Sequence, residues 1–362
     1  MRVLLHWPFL RSEEAVIGSA LADAGCDVTI LTLDRHGAPD AVDTPGLRIV
    51  PMLREVGEHR RWTPTWLVDR MGAYLQRTRV RRRFVAQADV VHVWFVNRFL
   101  DAFSIPRLAR RTTVVVHVHD VMPHATRLPL WVERLLLQRI YRSDAHLTVH
   151  NQALADELRD RFGVGGATVV PLMVRPRPTP DAHPGTRRAL FFGTFRPNKG
   201  IEVLLDAIDR SDPDVEWRIA GRGEPELEAA VAAAAERHPN LDARIGWSDE
   251  DTKAADYDWA DVVVLPYTAF ESQSGVLHDA YAHRRAVVVT DVGALGTSVT
   301  EDGTGIVLPT AEPEALADAV HRVLDDASQR GAFEAAAAAV AHARRPEAIA
   351  AGLRELYERL GA

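Results

Sequence analysis

Short hydrophobic runs alternate with longer amphipathic stretches along the whole chain. The short runs are rich in β-branched residues and have the length of buried strands, whereas the stretches between them repeat apolar positions at helical spacing. In the first half, the predicted strands are Val3–Leu5, Val28–Leu33, Leu47–Met52, Val90–Phe95, Val114–His119 and Leu147–His150. In the second half, they are Ala189–Phe192, Trp217–Ala220, Ala243–Trp247, Val262–Pro266, Val287–Thr290 and Ile306–Pro309. This alternation predicts βαβ units and mostly parallel sheets.

A stretch rich in proline and charge, residues 174–188 ("VRPRPTPDAHPGTRR"), interrupts this rhythm. Its composition is typical of a linker, so we predict an amino-terminal α/β domain over residues 1–173 and a carboxyl-terminal one over 189–344. The last segment, 345–362, has an apolar helical face, and we expect it to pack back on the first domain. The expected fold is two Rossmann-like, doubly wound α/β domains that face each other across a ligand-binding cleft.

Composition excludes several classes of protein. The chain has 362 residues, of which 47% are hydrophobic and 26% charged, as in ordinary globular proteins. A net charge of −7 argues against general affinity for nucleic acid. The single cysteine, Cys26, cannot form an internal disulfide, and no apolar run has the ~18–20 residues that span a bilayer. We therefore expect a cytoplasmic protein.

The segment "FFGTFRPNKG", residues 191–200, is a candidate anion site. A predicted strand ends in a glycine turn, and Arg196 and Lys199 follow just before a helical pattern begins. Backbone amides at such a turn, together with nearby cations, are suited to binding phosphate. A solvated turn whose charged side chains contact only water is the alternative interpretation.

A second candidate segment, "ESQSGVLHDAY", begins at Glu271 after the strand "VVVLP". A helix beginning near Ser274 would present free N–H groups and the positive end of its dipole to a diphosphate. Glu271 and Asp279 are eight residues apart, about two helical turns, so both can project toward the same side. Alternatively, an acidic residue there stabilises the helix dipole, and Asp279 is a surface charge.

These segments carry a resemblance to a known family. "LFFGTFRPNKGIEVLLDAI", "WRIAGRGEPELEAAV", "ARIGWSDEDT", "ADVVVLPY", "ESQSGVLHDAYAHRRAVVVTDVGA" and "GTGIVLPTAEPEALADAV" resemble the retaining GT-B glycosyltransferases of family 4, in order and spacing, over roughly residues 189–325. The first domain is similar more loosely, through "ADVVHVW" and "VVVHVHDVMPH". The resemblance implies transfer of a sugar, with retention, from a UDP- or GDP-linked donor to a hydroxyl of a glycan or lipid-linked saccharide. The nucleotide sugar is a co-substrate, and no cofactor or metal is implied.

The family's functional residues carry over by position. In the donor site, the resemblance implies that the diphosphate contacts Gly193, Arg196, Lys199, Ser274, Gly275 and Val276, and that ribose and base contact Gly223, Trp247 and Asp279. It also implies that His119 and Glu271 are catalytic. We further predict that His6, which follows the first strand, and Asp120 line the acceptor side of the cleft, and a surface position of His6 is the alternative. One position departs from the family, which has glutamate where this chain has Asp279.

Three other classes remain as alternatives. A nucleotide-sugar epimerase shares this architecture but needs further acid/base residues. A dehydrogenase needs the G-x-G-x-x-G fingerprint, and neither domain has it after a strand. A non-catalytic nucleotide-sugar-binding protein would keep the fold while losing charges such as Glu271 and Lys199, which this chain retains.

Two further patterns bear on ligands. His117 and His119 are two apart on a predicted strand, and His124 follows, but no spaced cysteine or carboxylate completes a metal set. The segment 62–84 combines aromatic and apolar residues with arginines, as listed here: Trp62, Trp66, Leu67, Met71, Tyr74, Leu75, Arg77, Arg79, Arg81, Arg82 and Arg83. This composition suits peripheral contact with the inner face of an anionic membrane. A core-facing helix with a solvated basic end is the alternative.

Overall fold

The computed structural model of the protein describes residues 1–6, 12–33, 44–53, 63–122, 129–177, 186–269 and 274–362. The chain divides into two compact units, the first formed by residues 1–171 with 346–362 and the second by residues 172–345. Each unit contains one sheet, and every pairing between neighbouring strands is parallel. The predicted fold class is confirmed.

The first unit is a seven-stranded sheet with the order β3-β2-β1-β4-β5-β6-β7. Its strands are β1 (Arg2–His6), β2 (Asp27–Leu33), β3 (Leu47–Leu53), β4 (Val90–Val93), β5 (Thr113–Val118), β6 (His146–Val149) and β7 (Thr168–Val169). Its first helices are α1 (Ser12–Asp23), α2 (Pro64–Val85), α3 (Arg98–Ala109), α4 (Leu130–Tyr141) and α5 (Gln152–Phe162).

The second unit is a six-stranded sheet with the order β10-β9-β8-β11-β12-β13. Its strands are β8 (Arg188–Phe195), β9 (Glu216–Gly223), β10 (Leu241–Ile245), β11 (Val262–Leu265), β12 (Ala286–Thr290) and β13 (Gly305–Leu308). Its helices are α6 (Ile201–Ile208), α7 (Pro225–Arg237), α8 (Glu250–Trp259), α9 (Gly275–Ala282), α10 (Ala294–Asp302), α11 (Pro313–Asp325) and α12 (Ala327–Ala343), with a 3₁₀ turn at Pro197–Lys199.

Strand order reverses between β1 and β4 in the first unit and between β8 and β11 in the second. In doubly wound sheets, the carboxyl ends of the strands at such a reversal leave room for a ligand. The ends of β8 and β11 therefore define where a ligand of the second unit is expected.

The unit boundary differs from the predicted linker. The chain leaves the first unit after residue 171, and Val174 is buried in the core of the second, where its N–H donates to the carbonyl of Arg344 at 2.9 Å. Residues 174–177 therefore belong to the second unit. Their composition is typical of a solvated linker, but the buried Val174 fixes them to the core of that unit. The final helix, α13 (Pro346–Arg359), lies in the first unit, and its Tyr357 hydroxyl is 2.7 Å from Nδ1 of His92 in β4.

All twelve predicted strands are present, and the structure adds β7, a two-residue strand. A strand of two residues is too short to show an alternation of apolar and polar positions in the sequence. Strand β8 also runs three residues beyond its predicted end, since Gly193 continues the ladder by pairing with Gly221. The pairing needs glycine because a side chain at Gly221 would place its first carbon 1.8 Å from the carbonyl oxygen of Gly193.

Candidate functional site

The loop after β8 presents Arg196 and Lys199 in a fixed turn. Arg196 is extended (φ −137°, ψ 154°), and the 3₁₀ turn ends at Gly200, whose φ of 68° starts α6. A side chain at Gly200 would place its first carbon 1.8 Å from the carbonyl oxygen of Pro266. Glycine thus satisfies both the left-handed backbone and the close approach to the residues after β11.

Hydrogen bonds tie this loop to the end of β11. The side-chain amide of Asn198 donates to the carbonyl of Ala269 at 3.0 Å, and the N–H of Thr268 donates to the carbonyl of Asn198 at 3.1 Å. The two cations therefore lie on a braced loop at the strand reversal of the second unit.

Lys199 rests on an aromatic ring. Its Nζ is 3.6 Å from the ring centroid of the buried Tyr267, within cation–π range. Burial, and then the neighbouring charge of Arg196, lower the pKa of Lys199 to about 8. The ammonium is thus incompletely solvated, and an incoming anion would stabilise its charged form.

The N-terminus of α9 adjoins this cation. Ser274 is the N-cap, and its Oγ accepts from the N–H of Leu277 at 3.3 Å and lies 3.4 Å from the hydroxyl of Tyr267. Gly275 and Val276 are the first two helical residues, whose N–H groups have no acceptor within the helix. Within the part of the chain that the structure describes, a methyl group at Gly275 would meet no atom within 4 Å.

Gly193 connects β8 to the same helix, because a methyl group there would lie 3.5 Å from Cγ2 of Val276. The predicted diphosphate residues on β8, its loop and α9 are therefore neighbours. Glu271, the predicted catalytic carboxylate, lies outside the described residues.

The predicted ribose and base residues have separate environments. Asp279 is 3.6 Å from Nζ of Lys253 on α8. Gly223 pairs with Phe195, and a side chain there would collide with the carbonyl of Phe195, so sheet packing accounts for this glycine. Trp247 is 82% exposed, with the guanidinium of Arg222 5.5 Å from its ring, and this open aromatic face can stack on a base.

His119 follows β5, and both of its ring nitrogens have partners within the first unit. Its Nε2 donates to the carbonyl of Trp94 at 3.0 Å, its Nδ1 is 3.0 Å from Nε2 of His150, and its ring stacks on Phe95 at 4.4 Å. Burial lowers the pKa of His119 below its ordinary value. A substrate contact through either nitrogen would first have to break one of these bonds.

His6, predicted to line the acceptor side, ends β1 and is buried. Burial, followed by the charge of Arg81, lowers its pKa to about 4, so it is neutral at physiological pH. The N–H of Trp94 donates to the carbonyl of His6 at 3.2 Å, so Trp94 links His6 to His119. Asp120, the next residue after His119, is half-buried.

Sequence reasoning missed the residues that support the predicted ones. Tyr267 lies under Lys199, Asn198 braces its loop, Lys253 faces Asp279, and His150 joins His119. His150 ended a predicted strand, and Tyr267 directly followed one. Position at a strand end is therefore the sequence signal that could have identified these two residues.

The described part of the 62–84 segment is α2, preceded by its N-cap Thr63. Val68, Met71 and Leu75 are exposed on it, by 71%, 57% and 46%. Arg81 does not belong to the solvated basic end, because it is buried in an ion pair with Asp101 at 2.8 Å. Trp62 lies outside the described residues, and none of the described helices has the length and hydrophobicity to cross a bilayer.

Two family profiles match the chain. The Glycosyltransferase Family 4 profile matches residues 16–177, and the Glycosyl transferases group 1 profile matches residues 186–326. The chain is 31% identical over 186 residues to a phosphatidyl-myo-inositol mannosyltransferase of Mycolicibacterium smegmatis, covering 50% of this chain and 47% of that protein. It is 32% identical over 192 residues to a GDP-mannose:glycolipid 4-beta-D-mannosyltransferase of Xanthomonas campestris, covering 49% and 50%. The match thus spans about half the length of these curated relatives.

Among solved structures, sucrose-phosphate synthase from Thermosynechococcus elongatus superposes with a TM-score of 0.76 at 20% identity, over 99% of both chains. At this identity the likeness shows the fold. The two profiles and the architecture together show that the chain belongs to the family 4 glycosyltransferases of the GT-B fold.

Proposed function

We propose that the protein transfers a sugar from a nucleoside-diphosphate sugar, and that Arg196 and Lys199 hold the diphosphate against the N-terminus of α9. The main support for this proposal is the contact of Lys199 with the ring of Tyr267. The hydroxyl of Tyr267 in turn lies beside Ser274, the N-cap of that helix. The chain contains only two lysines, and the second, Lys253, faces the predicted ribose residue Asp279.

The chemistry follows from these groups. As the sugar leaves, negative charge develops on the β-phosphate, and an ammonium, a guanidinium and helix amides stabilise it. These cations occupy the role that a divalent metal fills in other transferases, so we expect activity without added metal. The family resemblance supports retention, in which the phosphate oxygen takes the acceptor's proton, and it supports His119 and Glu271 as the catalytic residues.

We propose GDP-mannose as the first donor to test, ahead of UDP-linked sugars. The names of the two mannosyltransferase relatives support this order, and one of them specifies GDP-mannose. The same names, phosphatidyl-myo-inositol and glycolipid, support a hydroxyl of a lipid-linked acceptor.

The exposed face of α2 fits such an acceptor. Val68, Met71 and Leu75 follow the i, i+3, i+7 spacing of one helical face, and Arg82 and Arg83 are exposed in the last turn. We expect sedimentation with vesicles containing anionic lipid and weaker sedimentation of the triple serine variant of these apolar residues. Equal sedimentation of both proteins would contradict a membrane-facing role for α2.

Thermal unfolding with GDP, UDP, ADP and NAD, without added metal, tests the donor site. A ligand at 100 times its dissociation constant stabilises the protein by about 2.7 kcal/mol. We expect one diphosphate to raise the melting temperature and Lys199→Met to abolish the effect. Stabilisation by NAD alone would favour a dehydrogenase, and isomerisation of the sugar nucleotide without acceptor would favour an epimerase. Binding without turnover of any donor would favour a non-catalytic protein.

A further inference from the structure

The histidines of the two units differ in what their rings bond to. In the first unit, His117, His119 and His150 bond to one another at the ends of β5 and β6. One set of neutral tautomers satisfies these bonds and those to the neighbouring oxygen atoms. His124, the third metal ligand considered from the sequence, lies outside the described residues. His278 in the second unit is different, because its ring bonds to the backbone at the start of α9.

The ring of His278 holds the carbonyl group of the N-cap residue of α9. Its Nδ1 is 2.8 Å from the carbonyl oxygen of Ser274, which also accepts the backbone N–H of His278 at 3.3 Å. Burial lowers the pKa of His278 to about 4, so the ring is neutral at physiological pH. A carbonyl oxygen only accepts, so the single proton of the ring is on Nδ1. Two donors of one residue therefore converge on this carbonyl oxygen.

The carbonyl of Ser274 and the N–H of Gly275 belong to one planar peptide group. Gly275 is the first residue of α9, so its N–H has no acceptor within the helix. A donor on the carbonyl oxygen fixes the plane of this group, and it also polarises the N–H, because hydrogen bonds in a chain strengthen one another. The ring of His278 thus acts on the N–H of Gly275 from the far side of the peptide group.

Packing alone does not account for a histidine at this position. Within the described part of the chain, the buried Nε2 of His278 has no hydrogen-bond partner. A buried acceptor without a donor destabilises the folded state. A phenylalanine ring would fill nearly the same space without this cost, and the carbonyl of Ser274 would keep the backbone N–H as its donor. The bond from Nδ1 is therefore the property that distinguishes histidine here.

We propose that His278 is a positioning residue of the donor site, which fixes and polarises the peptide group whose N–H, that of Gly275, binds the diphosphate. This inference rests on the proposed function. His278 acts through the backbone and does not itself contact the ligand.

The test compares the full wild-type chain with His278→Phe. Calorimetry with GDP and UDP should show that the variant binds the diphosphate about 2- to 12-fold more weakly, the equivalent of one neutral hydrogen bond. Its affinity for guanosine and uridine should equal that of the wild type, because a nucleoside has no phosphate for the N–H of Gly275. Its melting temperature without ligand should stay close to that of the wild type.

His283→Phe is the matched control. His283 is the buried C-cap of the same helix, and its Nδ1 bonds to Asp258 at 2.8 Å. The same substitution there removes one hydrogen bond at the other end of α9, so affinity for the diphosphate should be unchanged. A second measurement needs no variant, since nitrogen NMR of the wild type labelled with ¹⁵N-histidine should show the proton of the His278 ring on Nδ1.

Failure of this inference and failure of the proposed function give different results. A wild-type chain that binds neither GDP nor UDP would overturn both. Equal diphosphate affinity of the wild type and a folded His278→Phe variant would overturn only the role of His278, and so would an equal loss of affinity for the nucleoside. A His278 ring with its proton on Nε2 would also overturn that role, even if the variant did not fold.

Discussion

Replacing Lys199 by methionine should weaken binding of the nucleoside diphosphate by about 10- to 150-fold. Methionine keeps the length and the contact with Tyr267 but removes the charge that lies 3.6 Å above the ring. A hydrogen bond between charged partners contributes about 1.5–3 kcal/mol, and each 1.4 kcal/mol is tenfold in affinity. Isothermal titration calorimetry with GDP and UDP measures the change directly.

The lowered pKa of Lys199 predicts a second, independent effect, a pH dependence of diphosphate affinity. With a pKa of about 8 in the free protein, the charged fraction of Lys199 falls about eightfold between pH 7.5 and pH 9, and wild-type affinity should fall with it. The diphosphate group does not contribute to this change, since the second pKa of a phosphate is about 6. Titration in two buffers of different ionisation enthalpy should show proton uptake on binding that increases with pH.

The pH dependence of folding stability separates loss of binding from loss of folding. Because burial holds the pKa of Lys199 below its ordinary 10.5, the unfolded chain binds more protons between pH 8 and 10.5. Wild-type stability should therefore rise with pH in that window, and Lys199→Met should lack this contribution. Arg237→Met, an exposed substitution in the same unit, should leave affinity unchanged. Unchanged affinity in a folded Lys199→Met variant, or a wild-type affinity that does not fall between pH 7.5 and pH 9, would refute the assignment.

Three further substitutions test the surrounding geometry. Gly200→Ala should destabilise the protein by at least about 1–3 kcal/mol in urea unfolding, because its new methyl group would collide with the Pro266 carbonyl in a left-handed turn. Gly275→Ala, whose new methyl group would meet none of the described atoms within 4 Å, should keep stability within about 1 kcal/mol yet weaken diphosphate binding in calorimetry. Asp279→Asn should reduce the preference for a ribonucleotide over its deoxy analogue, measured as a ratio of dissociation constants, whereas an unchanged ratio would remove Asp279 from the ribose site.

The sequence was sufficient to predict the sheets because buried parallel strands are nearly continuous apolar runs. The proximity of the residues proposed to bind the diphosphate was also predictable, since Lys199 and Ser274 lie at helix starts and Gly193 follows the predicted end of a strand. The residues that support them were not predictable from the sequence. Tyr267 contacts Lys199 across 68 residues of chain, and no periodicity relates the two positions. The burial of Val174, at the start of the predicted linker, was not predictable for a similar reason, because it depends on residues far away in sequence.

His119 shows that a role predicted from sequence does not reveal the environment of the residue. The family resemblance singled out His119, which ends a predicted strand, but His150 also ends a predicted strand next to it, and parallel strand ends meet at one edge of a sheet. Applied to both residues, this rule for strand ends would have predicted their contact at 3.0 Å. That contact changes the chemistry expected of His119, because a ring nitrogen already bound to a neighbour cannot simultaneously accept a proton from a substrate. A role can therefore be assigned to a histidine at a strand end only when the residues at the ends of the neighbouring strands are also considered.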